Sequence, residues 1–233
     1  MLAIMRRELA AYFRSPVGYI FLTVFYFFSG FFFFSTNLWG MNADLGGVFS
    51  GLYILLLFLI PILTMRLLSE ERKNKTEQAL LTAPVSLTGM VLGKYLAAVI
   101  VFAAGLAVTL VYALVVNSIT IPNWGLVLGN LIATLLLGMA LISIGLFISS
   151  LTENQVIAAV GGFGVGLFFL LIGAMRVVFT GPVGAVIDAI SFYERYYSFA
   201  LGIFRFADII YFISVVAIFL FLTVRVFEKR RWS

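Results

Sequence analysis

Residues 124–150 read WGLVLGNLIATLLLGMALISIGLFISS and contain no charged side chain. A helix needs about 20 consecutive, mostly apolar residues to cross the hydrocarbon core of a bilayer, so this run is long enough to span a membrane. Similar runs fill most of the chain, in which 63% of the 233 residues are hydrophobic and 11% are charged. In a soluble domain roughly a quarter of the residues are charged. The sequence therefore predicts an all-α integral membrane protein.

Six transmembrane helices are predicted, and together they form one domain, residues 1–233. They lie at about residues 16–38, 49–68, 90–116, 124–150, from the 151–155 link to 175, and 208–227. Besides the short loops between spans, three segments are distinguished: residues 1–15, 69–88 and 176–207. The last is neither a continuous apolar span nor a polar loop and has a few charged residues among many aromatic ones, which predicts short amphipathic helices at the outer face of the membrane.

The distribution of Lys and Arg predicts the orientation. Of the fifteen such residues, twelve fall on one side of the six spans and three, Arg176, Arg195 and Arg205, on the other. Loops that stay in the cytoplasm carry the excess of Lys and Arg. Both termini are therefore predicted to be cytoplasmic, and the net charge of +5 is attributed to these flanks rather than to binding of nucleic acid.

Missing residue types exclude several classes of enzyme. The chain has no Cys and no His, so disulfides, thiolate chemistry, His-dependent triads and Cys- or His-ligated metal sites are excluded. Residues 89–95, GMVLGKY, miss the phosphate-loop pattern because three residues separate the glycines and Tyr95 replaces Ser or Thr. Lys94 is instead expected to extend to the inner membrane interface. No catalytic or metal-binding residue is predicted, and nothing in the sequence places Asp188 near Glu194.

The first segment is predicted to be an amphipathic helix. Its apolar residues, including Met5, Leu9 and Tyr12, recur at helical spacing. Such a helix lies in the headgroup plane, with Arg6, Arg7 and Arg14 near anionic lipid. Two interpretations stay open, a plain membrane anchor and a gating helix.

The most informative polar stretch is residues 69–84, SEERKNKTEQALLTAP. Ser69 is a good N-cap, and Glu70 and Glu71 suit the positive end of a helix. The segment becomes apolar before Pro84 ends it. A helix outside the bilayer that is charged at one end and apolar at the other favours a protein partner. The alternative is a solvated loop whose leucines rest on the membrane surface.

Two further features have both a functional and a structural interpretation. Gly162 and Gly166 have the spacing that lets helices approach closely, either at a subunit interface or inside one subunit. Arg195, Arg205 and Asp208 are charges near the outer face. Ionisable groups at membrane depth are functional candidates, but an Arg205–Asp208 pair that only anchors the last span is the favoured interpretation.

Three blocks of sequence carry a resemblance to a known family. They are residues 60–71, IPILTMRLLSEE, residues 80–86, LLTAPVS, and residues 92–97, LGKYLA. Together they resemble type-2 ABC exporter permeases, with the gliding-motility-type permeases, related to the copper-maturation permease of nitrous oxide reductase, as the nearest subgroup. Residues 149–155 and 228–232 are similar too.

The resemblance implies a transmembrane subunit that dimerises, with itself or with a second permease, and binds a separate ABC ATPase subunit. The helix after span two, about residues 70–83, would dock on the ATPase as a coupling helix, the link after span four would be a second contact, and residues 1–15 would form a gate helix. The implied coupling residues are Glu70, Glu71, Arg72, Thr76, Glu77, Leu80, Leu81, Pro84, Glu153 and Asn154. The stretch before span six would form outer re-entrant helices.

ATP and magnesium would bind the partner ATPase, and this chain would bind no cofactor. An auxiliary extracytoplasmic subunit is compatible with the resemblance, which places the protein in the cytoplasmic (inner) membrane of a prokaryote. The leading hypothesis is thus the permease subunit of an ATP-driven exporter. Alternatives are a non-transporting subunit that relays ATPase movement to an outer-face partner, and an ion-driven secondary transporter. The last would need carboxylates inside the spans, where the sequence has almost none.

Overall fold

The computed structural model of the protein describes residues 1–75, 86–175, 179, 181–203 and 205–231, and these are helical with no strand. A π-helical turn, Phe34–Trp39, extends the second helix. The helices are α1 (Leu2–Arg14), α2 (Pro16–Phe33), α3 (Gly46–Thr64), α4 (Ser69–Lys73), α5 (Leu87–Leu106), α6 (Val108–Ile119), α7 (Trp124–Leu151), α8 (Gln155–Met175), α9 (Gly181–Ile190), α10 (Phe192–Ala200) and α11 (Phe206–Arg231).

Six helical stretches in the described residues are long and apolar enough to cross a membrane, which confirms the predicted number of spans. In chain order they are Pro16–Trp39, Gly46–Lys73, Leu87–Ile119, Trp124–Leu151, Gln155–Met175 and Phe206–Arg230, here called spans one to six. Span three consists of α5 and α6, which meet at Ala107. Asn123 caps α7 by accepting hydrogen bonds from the backbone N–H groups of Gly125 and Leu126.

Spans two and four form the centre of the bundle. In each of them 61% of the residues in the apolar 18-residue stretch are buried, compared with 28% in span one, 22% in span five and 17% in span six. Helix α7 packs against α3 on one side and α11 on another. Spans one, five and six therefore expose wide apolar faces, which in a membrane protein face lipid or another chain.

The two spaced glycines of span five pack inside the chain. A Cβ atom at Gly162 would lie 2.7 Å from Cβ of Pro61, and one at Gly166 would lie 2.5 Å from the backbone oxygen of Leu57. Both glycines are buried. They let α8 approach α3 closely, so the structure supports the intramolecular interpretation.

Helix α1, which was expected to lie in the headgroup plane, packs on the bundle with part of its apolar face. Met5 and Leu9 pack on the core, and the backbone oxygen of Met1 lies 3.1 Å from where a Cβ of Gly93 would be. Tyr12 is buried, and its hydroxyl donates to the backbone oxygen of Leu63 at 2.9 Å. The helix therefore serves as part of the folded bundle.

Candidate functional site

Four charged side chains meet where α1, α4 and α5 come together. The Lys94 ammonium lies 3.1 Å from Oε1 of Glu8 and 2.9 Å from Oε1 of Glu71. Nη2 of Arg7 lies 2.7 Å from each of the same two oxygens. Two cations and two carboxylates thus alternate in what we call the ion cluster: Arg7, Glu8, Glu71 and Lys94.

Lys94, which was expected to extend to the inner membrane interface, is buried among protein groups. Its side chain is 1% exposed, whereas those of Glu8 and Glu71 are 13% and 15% exposed. A buried ammonium is costly unless it is paired and hydrogen-bonded, and here Nζ also donates to the backbone oxygen of Leu67 at 2.9 Å. The two carboxylates come from α1 and α4, so the ammonium holds both helices against span three.

Arg7, whose side chain is 52% exposed, donates to Glu8 and Glu71. Burial acts to lower the pKa of Arg7, but the hydrogen bonds and charges of these two carboxylates outweigh it and raise the pKa above its usual value. The pKa of Tyr12 is raised chiefly by burial. Arg7 therefore stays charged and Tyr12 stays a neutral hydrogen-bond donor across the physiological pH range.

A polar cavity of about 410 Å³ adjoins the ion cluster and separates parts of α1 and α4. Its walls include the ion pair of Arg66 and Glu70, whose Nε and Oε2 atoms lie 2.7 Å apart. The cavity therefore gives the charged groups of α1 and α4 a common surface beside the ion cluster.

Ser149, near the end of span four, braces the junction between α3 and α4. Its Oγ accepts from the backbone N–H groups of Leu68 and Ser69, both at 3.1 Å, and donates to the backbone oxygen of Met65 at 3.0 Å. Ser69 was expected to cap α4, but it is the first helical residue and its hydroxyl donates back to Met65. This bracing role of Ser149 was not predicted, because its partners are backbone groups about 80 residues away.

Helix α4 also contacts the link between spans four and five. Nε of Arg72 lies 2.9 Å from Oε1 of Glu153, and its Nη1 donates to the backbone oxygen of Leu151 at 3.0 Å. Asn154 caps span five, since its Oδ1 accepts from the backbone N–H of Val156 at 2.9 Å. Helix α4, at the end of span two, is therefore tied to span three through Lys94, to the end of span four through Ser149 and Leu151, and to the following link through Glu153.

The family model described as ABC-2 family transporter protein matches residues 41–232. The chain belongs to this family. It is accordingly a multi-pass membrane protein and a permease of an ABC transporter. No curated protein matches the chain. The matched region contains Glu71 and Lys94, whereas Glu8 lies before it.

Several of the coupling residues predicted for the permease lie in the described part of the chain, and the structure brings them together. Glu71 belongs to the ion cluster, Glu70 lines the adjoining cavity, and Arg72 reaches Glu153 in the link. Asn154 lies in the same link. The remaining predicted residues lie outside the described part of the chain: Thr76, Glu77, Leu80, Leu81 and Pro84. Arg6 and Arg14, the other two arginines of the predicted gate helix, are exposed.

At the opposite end of the permease, Asp208 pairs with Arg195. Their Oδ1 and Nη1 atoms lie 3.0 Å apart, and Ser198 Oγ donates to the other carboxylate oxygen at 2.8 Å. The expected Arg205–Asp208 pair is absent from the ion pairs of the described residues. The Arg195 guanidinium also lies 4.0 Å from the ring centroid of Tyr211, so this arginine joins α10 to span six.

A cavity of about 310 Å³ lies beside this pair, and both Asp188 and Glu194 line it together with Arg205. The structure thus places in one cavity two acidic residues that the sequence left unrelated. Within the described ranges, no group of three or more acidic, His or Cys side chains could hold a metal ion. The cavity lining therefore carries both acidic and basic side chains. We assign no catalytic role to it.

Proposed function

We propose that the chain is the transmembrane subunit of an ATP-driven exporter, and that a separate ABC ATPase acts on the segment that begins with α4. Membership of the ABC-2 family supports the permease role. The observation that carries the coupling proposal is the ion cluster, in which the Lys94 ammonium contacts carboxylates on both α1 and α4. A force applied to α4 would therefore reach α1 and span three together.

The energy would enter through differential binding, since an ATPase can shift the permease only if its nucleotide states bind the permease conformations with different affinities. ATP and magnesium would stay in the ATPase. In the permease, Glu71 would transmit the movement to Lys94, and Arg72 would transmit it to Glu153 at the link before span five. Ser149 would keep the base of α4 aligned with span four.

Several finer features belong to the same proposal. Residues 70–83 would be the coupling helix, α1 the gate helix, and α9 and α10 re-entrant helices at the outer face. The permease would act as a homodimer or heterodimer in the inner membrane of a prokaryote, with both termini in the cytoplasm. The gliding-motility-type subgroup remains the nearest by resemblance, and an auxiliary extracytoplasmic subunit is compatible with it.

A pull-down from native membranes in mild detergent, followed by mass spectrometry, tests the proposal. Leu81→Asp places a charge on the apolar end of the coupling helix, and Ile121→Asp is its control, because Ile121 is 89% exposed in the turn at the opposite end. We expect a P-loop ATPase at near-equal stoichiometry with wild type and with Ile121→Asp, but not with Leu81→Asp. A well-folded wild-type chain that brings down no ATPase refutes the proposal.

A second candidate function, a relay from the ATPase to an outer-face partner without transport, is favoured by the charged cavity that contains Asp188, Glu194 and Arg205. Both candidates use the same coupling site. Substrate-stimulated ATP hydrolysis by the purified permease–ATPase complex is expected for the exporter. Hydrolysis that responds only to an outer-face protein favours the relay.

A further inference from the structure

Lys73 and Lys75 lie at the end of α4, close to the ion cluster. Both are exposed, and Asn74 between them lines the polar cavity of about 410 Å³. We infer that these two lysines form a docking surface for carboxylate side chains of the partner ATPase. The assignment rests on the proposed function, which requires that ATPase, and it adds the chemistry of the ATPase surface that faces α4.

The carboxylates near the two lysines are already paired inside the chain. Among the described residues, the acidic side chains at this end of the bundle each lie within 2.9 Å of a cationic nitrogen: Glu8, Glu70, Glu71, Glu153 and Glu228. Neither Lys73 nor Lys75 has an ion pair in the part of the chain that the structure describes. The charge that α4 presents to a partner is therefore positive, and it complements an acidic surface.

The backbone of Lys75 is a second observation that points to its side chain. Its φ angle is 56°, in the left-handed region, and its N–H donates to the backbone oxygen of Arg72 at 3.1 Å. Glycine is the usual residue where a helix ends in this conformation, because it has no Cβ to clash. The chain has a lysine here instead, so the backbone conformation alone does not account for the residue.

The surroundings of α4 favour a protein partner over lipid headgroups. Helix α4 ends span two, one of the two central spans, and it contacts Arg7 of α1, Lys94 of span three and Leu151 and Glu153 after it. Protein from several elements therefore surrounds α4. In contrast, the exposed Lys229 ends span six, of which 17% is buried, so lipid adjoins that lysine.

The residues that follow Lys75 add an apolar part to the expected contact. Residues 79–81 read ALL, and they lie outside the described residues. The ATPase surface would therefore combine an apolar groove for Leu80 and Leu81 with carboxylates at the edge that faces Lys73 and Lys75. Charges at the edge of an interface act mainly on the association rate and on the salt dependence of binding, which distinguishes their contribution from that of the leucines.

A zero-length cross-linker tests the contact directly. The permease–ATPase complex, purified from native membranes in mild detergent, is treated with a carbodiimide, which joins an amine to a carboxylate only where the two groups touch. Cross-linked peptides are then identified by mass spectrometry. We expect Lys73 or Lys75 to be joined to an Asp or Glu of the ATPase, and we expect no such cross-link from Lys229.

The salt dependence of binding tests the charge. Lys73→Gln combined with Lys75→Gln is expected to weaken ATPase binding about fivefold at low salt, because exposed ion pairs contribute modestly. At about 1 M salt, where charges are screened beyond about 3 Å, this variant and wild type should bind equally. Lys229→Gln, and Lys73→Arg combined with Lys75→Arg, should bind as wild type does at every salt concentration.

Lys75→Gly separates docking from folding. Glycine adopts the left-handed conformation without a steric cost, so this variant should resist a denaturing detergent at least as well as Lys75→Gln. It should nevertheless bind the ATPase as weakly as Lys75→Gln, because both lack the charge. If Lys75→Gly binds the ATPase as tightly as wild type, Lys75 only ends α4 and the inference is overturned.

The remaining outcomes distinguish this inference from the proposed function. A complex that forms but gives no cross-link from either lysine, or that the double Gln variant leaves unchanged at low salt, overturns the docking surface and leaves the proposed function in place. A double Gln variant that loses co-purified phosphatidylglycerol but keeps the ATPase assigns the lysines to lipid, which also overturns it. A wild-type chain that brings down no ATPase refutes the proposed function, and the docking surface with it.

Discussion

Replacing Lys94 by Met removes an ammonium from the centre of the ion cluster while it keeps an unbranched side chain of similar length. The wild-type cluster is neutral, with Arg7 and Lys94 opposite Glu8 and Glu71. In Lys94→Met the cluster carries one net negative charge, and the Leu67 carbonyl loses its donor. Arg7 still lies 2.7 Å from both carboxylates, so the loss of charge pairing is incomplete.

Removal of one partner from a buried ion pair destabilises a protein by about 3–5 kcal/mol. Because Arg7 remains, and because the two carboxylates are 13% and 15% exposed, we expect the lower end, about 3 kcal/mol. Lys94→Met combined with Glu8→Gln restores neutrality. That double variant should recover about 1–2 kcal/mol of the loss, within the usual range of coupling between contacting residues.

Unfolding of the purified permease in mixed micelles, titrated with a denaturing detergent, measures these differences. Tryptic cleavage at Arg14 reports in parallel whether α1 has detached. Lys73→Met is the matched control, because it removes an exposed Lys from the same segment. If Lys94→Met unfolds within about 0.5 kcal/mol of the control and α1 stays protected, the ion cluster does not hold α1 and α4 on span three.

Three further substitutions test other parts of the structure by the same unfolding assay. Ser149→Ala leaves two buried backbone N–H groups without their acceptor and should cost about 1–3 kcal/mol, whereas Ser143→Ala, which removes only a bond to its own helix, should cost less than half as much. Gly166→Ala drives a methyl group against a backbone oxygen of span two and should cost about 1–3 kcal/mol. Gly164→Ala, with no atom within 4 Å of the new Cβ, should be neutral or stabilise the helix by up to about 1 kcal/mol. Arg195→Met leaves the buried carboxylate of Asp208 without its cation and should cost about 3 kcal/mol. If Ser149→Ala or Gly166→Ala is as stable as its control, or if Arg195→Met is as stable as wild type, the corresponding contact does not stabilise the protein.

The spans were predictable because the signal for them is local. Long apolar runs have few stable alternatives to a transmembrane helix, and the predicted boundaries of span four, residues 124–150, differ by one residue from the observed Trp124–Leu151. The π-helical end of span one and the meeting of α5 and α6 at Ala107 were not predicted, because hydropathy does not distinguish these backbone variations from a continuous α-helix.

The partners of the charged residues were not predictable in the same way. Lys94 contacts Glu8, which lies 86 residues before it in sequence, so only the packing of α1 reveals the pair. Asp208 was expected to use Arg205, three residues away, but the short helix α10 presents Arg195 instead. Local spacing suggests a pair, whereas the tertiary arrangement decides which cation reaches the carboxylate.

The amphipathic pattern of α1 shows a related limit. An apolar stripe at helical spacing predicts that one face is buried, but it does not say whether lipid or protein covers that face. Here Met5 and Leu9 pack on the bundle, while Leu2 and Phe13 are 61% and 39% exposed. Gly93, which has no side chain, lets α1 approach span three closely, and a local hydrophobic pattern does not report such a contact.

Whether the ion cluster transmits ATPase movement can be measured with two spin labels, since the chain has no native Cys. Arg6→Cys on α1 and Leu151→Cys at the end of span four are both exposed. In the complex with its ATPase, we expect the distance between the labels to shift when a non-hydrolysable ATP analogue binds, and we expect Lys94→Met to abolish that shift while the ATPase stays bound. A shift of the same size in Lys94→Met would contradict transmission through the cluster.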